Sequence, residues 1–249
     1  MVTFIISYTE RDQFRRVNLD YLTKYLSALA LPGKEIIVVE QDTEEKYVPK
    51  SNIVKKIFLQ NDGIFNKGWG YNVGAKEATN DILFFNDCDI VMPKHNYPDA
   101  IQKISDFDVV DPYRKIYYYN ERHSRIVIDL NDARFHPNSE KTCPSGVISG
   151  GAFVIKRSVF MCMKGFDEDC AGWGHEDDIF DAKIRKLGFK IHWNTANHCY
   201  HLFHPVADKG YYTNKESNRQ LHLVYLKMTE MQLKEKILTT KSFGERIKL

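Results

Sequence analysis

The sequence predicts an α/β fold: a mostly parallel central sheet flanked by helices, with a smaller subregion beyond it. Two observations carry this. Strand-like and helix-like segments alternate through the first hundred residues, the order that builds βαβ units. The run Ile82-Leu83-Phe84-Phe85-Asn86 is short and apolar and stops at two aspartates, which reads as a buried strand whose end opens onto a crevice.

Thr3 to Tyr8 is the first expected strand, Asp12 to Leu31 an amphipathic helix closed by Pro32-Gly33, and Glu35 to Glu40 the second strand. Ile53 to Leu59, a helix over Asn66 to Ala78, and a strand over Asp81 to Asn86 continue the alternation. Beyond it, Val109 to Asp111, Ile116 to Tyr119 and Arg125 to Leu130 read as short strands, and Asn131 to Ser145 as a polar loop or lid. Ser149 to Ile155 resumes a strand, followed by a short helix over Lys156 to Met163. A helix over Glu176 to Leu187 stopped by Gly188 and a strand over Lys190 to Trp193 come next. Lys215 to Ile237 has helical period and precedes a Lys-rich tail. One domain over 1–249 is expected, with a nucleotide-binding half (1–100), an acceptor and catalytic half (101–213) and a C-terminal helix with its tail (214–249).

Composition narrows the function. A formal charge of +2 over 249 residues provides no basic stripe for nucleic acid. Five cysteines, Cys88, Cys143, Cys162, Cys170 and Cys199, form no CxxC pair, so neither a disulfide framework nor a zinc ribbon is indicated. No segment approaches the roughly 18 apolar residues of a membrane span, and the chain enters directly on a strand, so a cytoplasmic protein, or one that has lost an anchor, is expected. Lys234, Lys236, Lys241, Arg246 and Lys248 make peripheral contact with an anionic membrane an alternative to plain helix packing.

Two acidic sites carry the chemistry. Asp87-Cys88-Asp89 follows a strand, and a divalent cation on a diphosphate wants one or two such carboxylates. Asp89 is the expected metal ligand, with Asp87 facing a ribose hydroxyl or a metal-bound water. The stretch His198-Cys199-Tyr200-His201-Leu202-Phe203-His204 can complete the shell through an imidazole. His201 is the first choice and His204 the alternative, and a nitrogen ligand favours Mn²⁺ over Mg²⁺. Glu176, Asp177 and Asp178 occupy the first turn of a helix, where the dipole favours negative charge and a carboxylate can take the proton of an incoming hydroxyl. Gly172-Trp173-Gly174 is suited to a mobile loop that stacks an indole on a sugar.

Taken in order, these motifs resemble the catalytic domain of the β-1,4-galactosyltransferase family and its bacterial relatives, the chondroitin-polymerase-like transferases. The resemblance rests on Phe65-Asn66-Lys67 with Tyr71-Asn72-Val73-Gly74, on Phe85 to Ile90, on Ser149-Gly150-Gly151 through Gly165-Phe166-Asp167, and on Gly172 to Phe180. It implies a GT-A fold, a UDP-sugar donor (galactose or N-acetylgalactosamine), a saccharide acceptor, Mn²⁺ on Asp89 and inversion at the anomeric carbon. It also implies Asp177 as the base, Glu176 and Asp178 orienting sugars, Trp173 as the loop aromatic and His201 as the late metal ligand. Tyr8, Arg11, Asn66 and Lys67 then lie near the nucleotide and diphosphate. The chain departs from the family where Ile5 to Arg11 lacks a proline and an arginine, where Lys67 replaces an arginine, and where His175 replaces a glycine. A metal-dependent nucleotidyltransferase or phosphohydrolase on nucleotide sugars and a non-catalytic glycan-binding module are the competing readings.

Overall fold

From Val2 to Tyr8 every residue is buried, and this strand, β1, is the axis of the molecule. The computed structural model describes residues 1–131, 140–142, 148, 150–206 and 213–246. β1 pairs in parallel with β2 (Glu35–Asp42) on one side and β4 (Ile82–Asn86) on the other, and β3 (Val54–Gln60) extends the sheet beyond β2. β9 (Ala152–Lys156) runs antiparallel to both β4 and β6 (Val109–Asp111), and β10 (Ile191–Trp193) closes the edge parallel to β6. The order is β10-β6-β9-β4-β1-β2-β3, so the parallel sheet holds with one reversed strand.

Both faces of the sheet are covered. Phe4, Ile6, Ile36 and Val38 point into one core cluster, and Ile5, Ile37, Val39 and Phe85 into the other, the period-two alternation of a strand with two dry faces. Each such buried side chain contributes roughly 1.5–3 kcal/mol of burial. The first face is covered by α1 (Gln13–Ser27) and α3 (Asn96–Lys103). The second is covered by α2 (Lys67–Glu77), α5 (Arg157–Cys162) and α6 (Glu176–Lys186). α2 lies close on β1: a Cβ on Gly70 would stand 2.1 Å from the Ser7 Oγ, and one on Gly74 2.4 Å from an Ile5 methyl. Those two glycines set how near Lys67, at the head of the helix, comes to the strand ends.

A second sheet, in the order β5-β11-β7-β8, is built from β5 (Ile90–Val91), β7 (Lys115–Tyr118), β8 (Glu140–Thr142) and β11 (His198–His201). β11 pairs antiparallel with β5, placing His201 opposite Ile90. The amide of Leu202 donates to the Asp89 carbonyl at 2.7 Å. The late histidines are thereby tied beside the acidic turn.

Two expected elements are corrected. Arg125 to Leu130 is not a strand but the second half of α4 (Glu121–Leu130), capped by Asn120, whose side chain accepts from the His123 amide. Its buried residues Ser124 and Val127 are three apart, the helical period, and this outweighs the β-branched run Ile126-Val127-Ile128. The single helix over Lys215 to Ile237 is two: α7 (Lys215–Lys227) ends, and Thr229 opens α8 (Glu230–Thr239) with a capping box to Gln232. Of the loop expected over Asn131 to Ser145, 132–139 and 143–145 lie outside the described residues, and β8 interrupts it. Three basic residues of the C-terminal segment, Lys234, Lys236 and Arg246, pair with Glu230, Asp167 and Glu77. No described helix is long and apolar enough to cross a membrane.

Candidate active site

The carboxyl ends of β1 and β4, the heads of α1, α2 and α6, and the second sheet enclose a cavity of about 550 Å³. Tyr8, Arg11, Arg15, Lys67, Asp87, Asp89, Trp173, Glu176, Asp177, Asp178, His201 and His204 all line it. Of the residues singled out from sequence, Asn66 alone does not. It is fully buried, accepts from the Trp69 amide as the cap of α2 and donates to the Glu168 carbonyl. Its place is behind the wall, where it starts the helix that presents Lys67.

Lys67 joins the two acidic sites. Its ammonium lies 3.8 Å from Asp87, 3.2 Å from Glu176 and 3.3 Å from Asp177, and donates to the Gly150 carbonyl at 3.2 Å. Burial disfavours its charge, but Asp177, Asp87 and Glu176 together raise its pKa well above the ordinary lysine value. Asp177 is pushed up to about 7 by burial and by the neighbouring Glu176 and Asp87, against the pull of Lys67. Asp87 is likewise raised, to about 6, by burial and by Asp89, while Lys67 and a hydrogen bond from the Tyr71 hydroxyl at 2.6 Å oppose the rise. Crowded carboxylates here share one cation, and Asp177 titrates well above an ordinary aspartate.

At the other end the balance is inverted. Asp89 is buried, yet His201, His204 and Arg15 hold its carboxyl well below the usual carboxylate range. His204 Nε2 lies 3.1 Å and Arg15 3.6 Å from Asp89 Oδ2. Donor atoms of Asp89, His201 and His204 all fall within 4.8 Å of one another. The structure brings both imidazoles, His201 and His204, to Asp89. Burial lowers the pKa of His201, keeping it neutral, the form in which imidazole binds a metal.

The lip of the cavity is formed by the segment before α6. Trp173 is 43% exposed, with the Lys215 ammonium 4.9 Å from its ring centre. The Gly174 amide donates to Glu176, and the Gly172 amide to the Phe65 carbonyl. His175 holds φ at 69° and pairs with Asp178 at 2.8 Å. Arg11 lies over the Phe65 ring, and the Tyr8 hydroxyl donates to Glu10. Three site residues were given no role from sequence. Arg15 stands four residues after Arg11, a helical spacing that could have revealed it. Tyr71 lies one turn after Lys67, and Gly150 leaves no room for a side chain: a Cβ there would fall 1.6 Å from the Asp177 carboxylate.

Residues 5–163 match the model of glycosyl transferase family 2. The chain belongs to glycosyl transferase family 2. Residues 133–205 also match the N-terminal domain of galactosyltransferase. Human β-1,4-galactosyltransferase 3 is 27% identical over 134 residues, 52% of this chain and 28% of that protein. Human chondroitin sulfate N-acetylgalactosaminyltransferase 1 is 26% identical over 184 residues, 69% of this chain and 33% of that protein. The chain thus spans a third or less of the length of these relatives. The structure of a mutant of Drosophila β-1,4-galactosyltransferase 7 in complex with manganese, UDP-Gal and xylobiose is similar in fold. Its TM-score is 0.53 at 18% identity, over 88% of this chain and 79% of that one. The galactosyltransferase-like resemblance and the GT-A fold expected of this family 2 member are borne out.

Proposed function

We propose that this chain is an inverting glycosyltransferase that moves a sugar, galactose or N-acetylgalactosamine, from a UDP-sugar to a saccharide hydroxyl. The observation that carries the reading is the Lys67 bridge, which brings Asp87 and Asp177 to 3.8 Å and 3.3 Å from one ammonium inside one cavity. The donor's diphosphate would lie over Asp89 and the acceptor hydroxyl would approach Asp177.

Asp177 accepts the acceptor's proton as its oxygen attacks the anomeric carbon, the bond from that carbon to the diphosphate breaks, and UDP leaves with the electron pair. A pKa of about 7 suits a base that must take a proton in neutral solution. Lys67 and Arg15 would hold negative charge growing on the diphosphate. Glu176 and Asp178 would orient sugar hydroxyls, Trp173 would stack on a ring and exclude water, and Tyr8 and Arg11 would hold the nucleotide.

The donor set at Asp89, one ionised carboxylate and two imidazoles, fits a divalent transition ion such as Mn²⁺ better than Mg²⁺. Asp89, His201 and His204 would hold it, and when bound it supplies a Lewis acid for the diphosphate oxygens. The test is a panel of UDP-sugars incubated with the chain and oligosaccharide acceptors, with and without Mn²⁺. UDP and an inverted glycoside are the expected products. A nucleoside monophosphate and a sugar phosphate would instead identify a phosphohydrolase.

A further inference from the structure

A second set of imidazole and carboxylate groups stands at the lip of the cavity, built by two helices and separate from Asp89. His175 precedes α6, Asp178 lies in its first turn, and His222 comes from α7. We propose that His175, Asp178 and His222 form a second metal site, one that takes a Zn²⁺-type ion.

Each residue offers one donor atom, and the three atoms all lie within 4.8 Å of one another. Two imidazoles and a carboxylate are a zinc donor set, with the fourth position left to water. Metal–ligand lengths of about 2.0–2.2 Å require the donors to draw inward, and these side chains have the freedom to do so. His175 is 24% exposed and Asp178 41%. The two imidazole rings already stack at 5.3 Å with 27° between their planes.

The support is rigid on both sides. On α7, Asn218 is buried and donates to the Ala171 carbonyl at 3.0 Å, which fixes the helix one turn ahead of His222. On α6, the imidazole of His175 meets Asp178 at 2.8 Å. His175 holds a left-handed backbone that glycine would occupy more readily. An imidazole kept there contributes contacts that a glycine could not. Lys215 directs its ammonium at the Trp173 ring.

An ion at this position would pin α7 to the segment carrying Trp173. It would also draw on Asp178, which lines the main cavity. The proposal rests on donor placement and does not depend on the transferase reading, so the two can fail separately.

The experiment is Zn²⁺ titration of the metal-free full chain by calorimetry, repeated with Co²⁺ for its visible spectrum. One binding class should survive Asp89→Asn and weaken by more than about tenfold in His222→Gln, beyond the lower bound for losing an outer-shell partner. His175→Gly should weaken the same class. This variant relieves the left-handed backbone while losing the imidazole contacts, and its melting temperature, measured beside the titration, separates ligand loss from misfolding. The site is overturned if Asp89→Asn abolishes all Zn²⁺ binding, or if His222→Gln and His175→Gly bind Zn²⁺ as tightly as the parent.

Discussion

Asp89 and Asp177 line the same cavity and are the same residue type, yet their environments move them in opposite directions. Asp89 faces Arg15, His201 and His204 and is held ionised far into acid. Asp177 faces Glu176 and Asp87 across the single ammonium of Lys67 and is pushed up to about 7. The difference teaches how one crevice separates two tasks. A carboxylate faced by an arginine and two imidazoles stays an anion, fit to grip a cation. One surrounded by carboxylates holds its proton near neutrality, fit to exchange it.

The strongest way to break this comparison is to remove the exchangeable proton site. Asp177→Asn should lower kcat by about 10²–10⁴, the usual worth of a positioned base, while calorimetry finds UDP affinity retained. A retained rate would reject Asp177 as the base. Asp89→Asn should abolish metal-dependent UDP binding and turnover with it, so that UDP calorimetry tells the two variants apart.

Lys67→Met probes the joint between the two ends. Removing one partner of a buried ionic cluster costs roughly 3–5 kcal/mol, and for a domain of this size the melting temperature should fall by about 2–4 °C per kcal/mol. Without its cation Asp177 should titrate higher, moving the acid limb of the rate profile upward. Gly150→Ala asks for less: the Asp177 carboxylate must swing away from the new methyl group, so kcat should fall with little change in KM for the donor.

The pH dependence is the mildest and sharpest test. Activity should fall as pH drops through about 7, where Asp177 takes up its proton. For stability the sign follows from which state binds protons more tightly. The folded-state pKa of Asp177 is raised above its unfolded value of about 3.9, so the fold is favoured in acid and that advantage is lost as pH rises towards about 7. Asp89 works oppositely: its contribution is present above the unfolded value and is lost only as pH falls through its own depressed one. Melting temperatures of the ligand-free chain should therefore decline from pH 5 to 8, and Asp177→Asn should flatten that slope.

Much of the candidate site was legible because it is written in local patterns. Asp87-Cys88-Asp89 ends a strand and Glu176-Asp177-Asp178 begins a helix, and both lie where those patterns put them. Where a short window misled, a longer-range feature decided. Arg125 to Leu130 joined a helix because Asn120 caps it, and the C-terminal helix divided because Thr229 opens a new one. Arg15 escaped notice, and Tyr71 was read only as part of a motif, because an arginine or tyrosine on a helix has many ordinary uses. Asn66 was placed near the nucleotide, but its side chain serves the cap of α2 instead.

The sequence by itself determined the family, the strand and helix order of the first half, and the identity of the carboxylates and imidazoles, because those depend on neighbours one to four residues apart. Only the tertiary structure decided that β11 lies against β5 and delivers both histidines to Asp89, that one ammonium serves Asp87 and Asp177 together, and that two aspartates of one cavity titrate apart. Those outcomes follow from desolvation and from charges a few ångströms away through space, quantities that exist only once distant segments have packed.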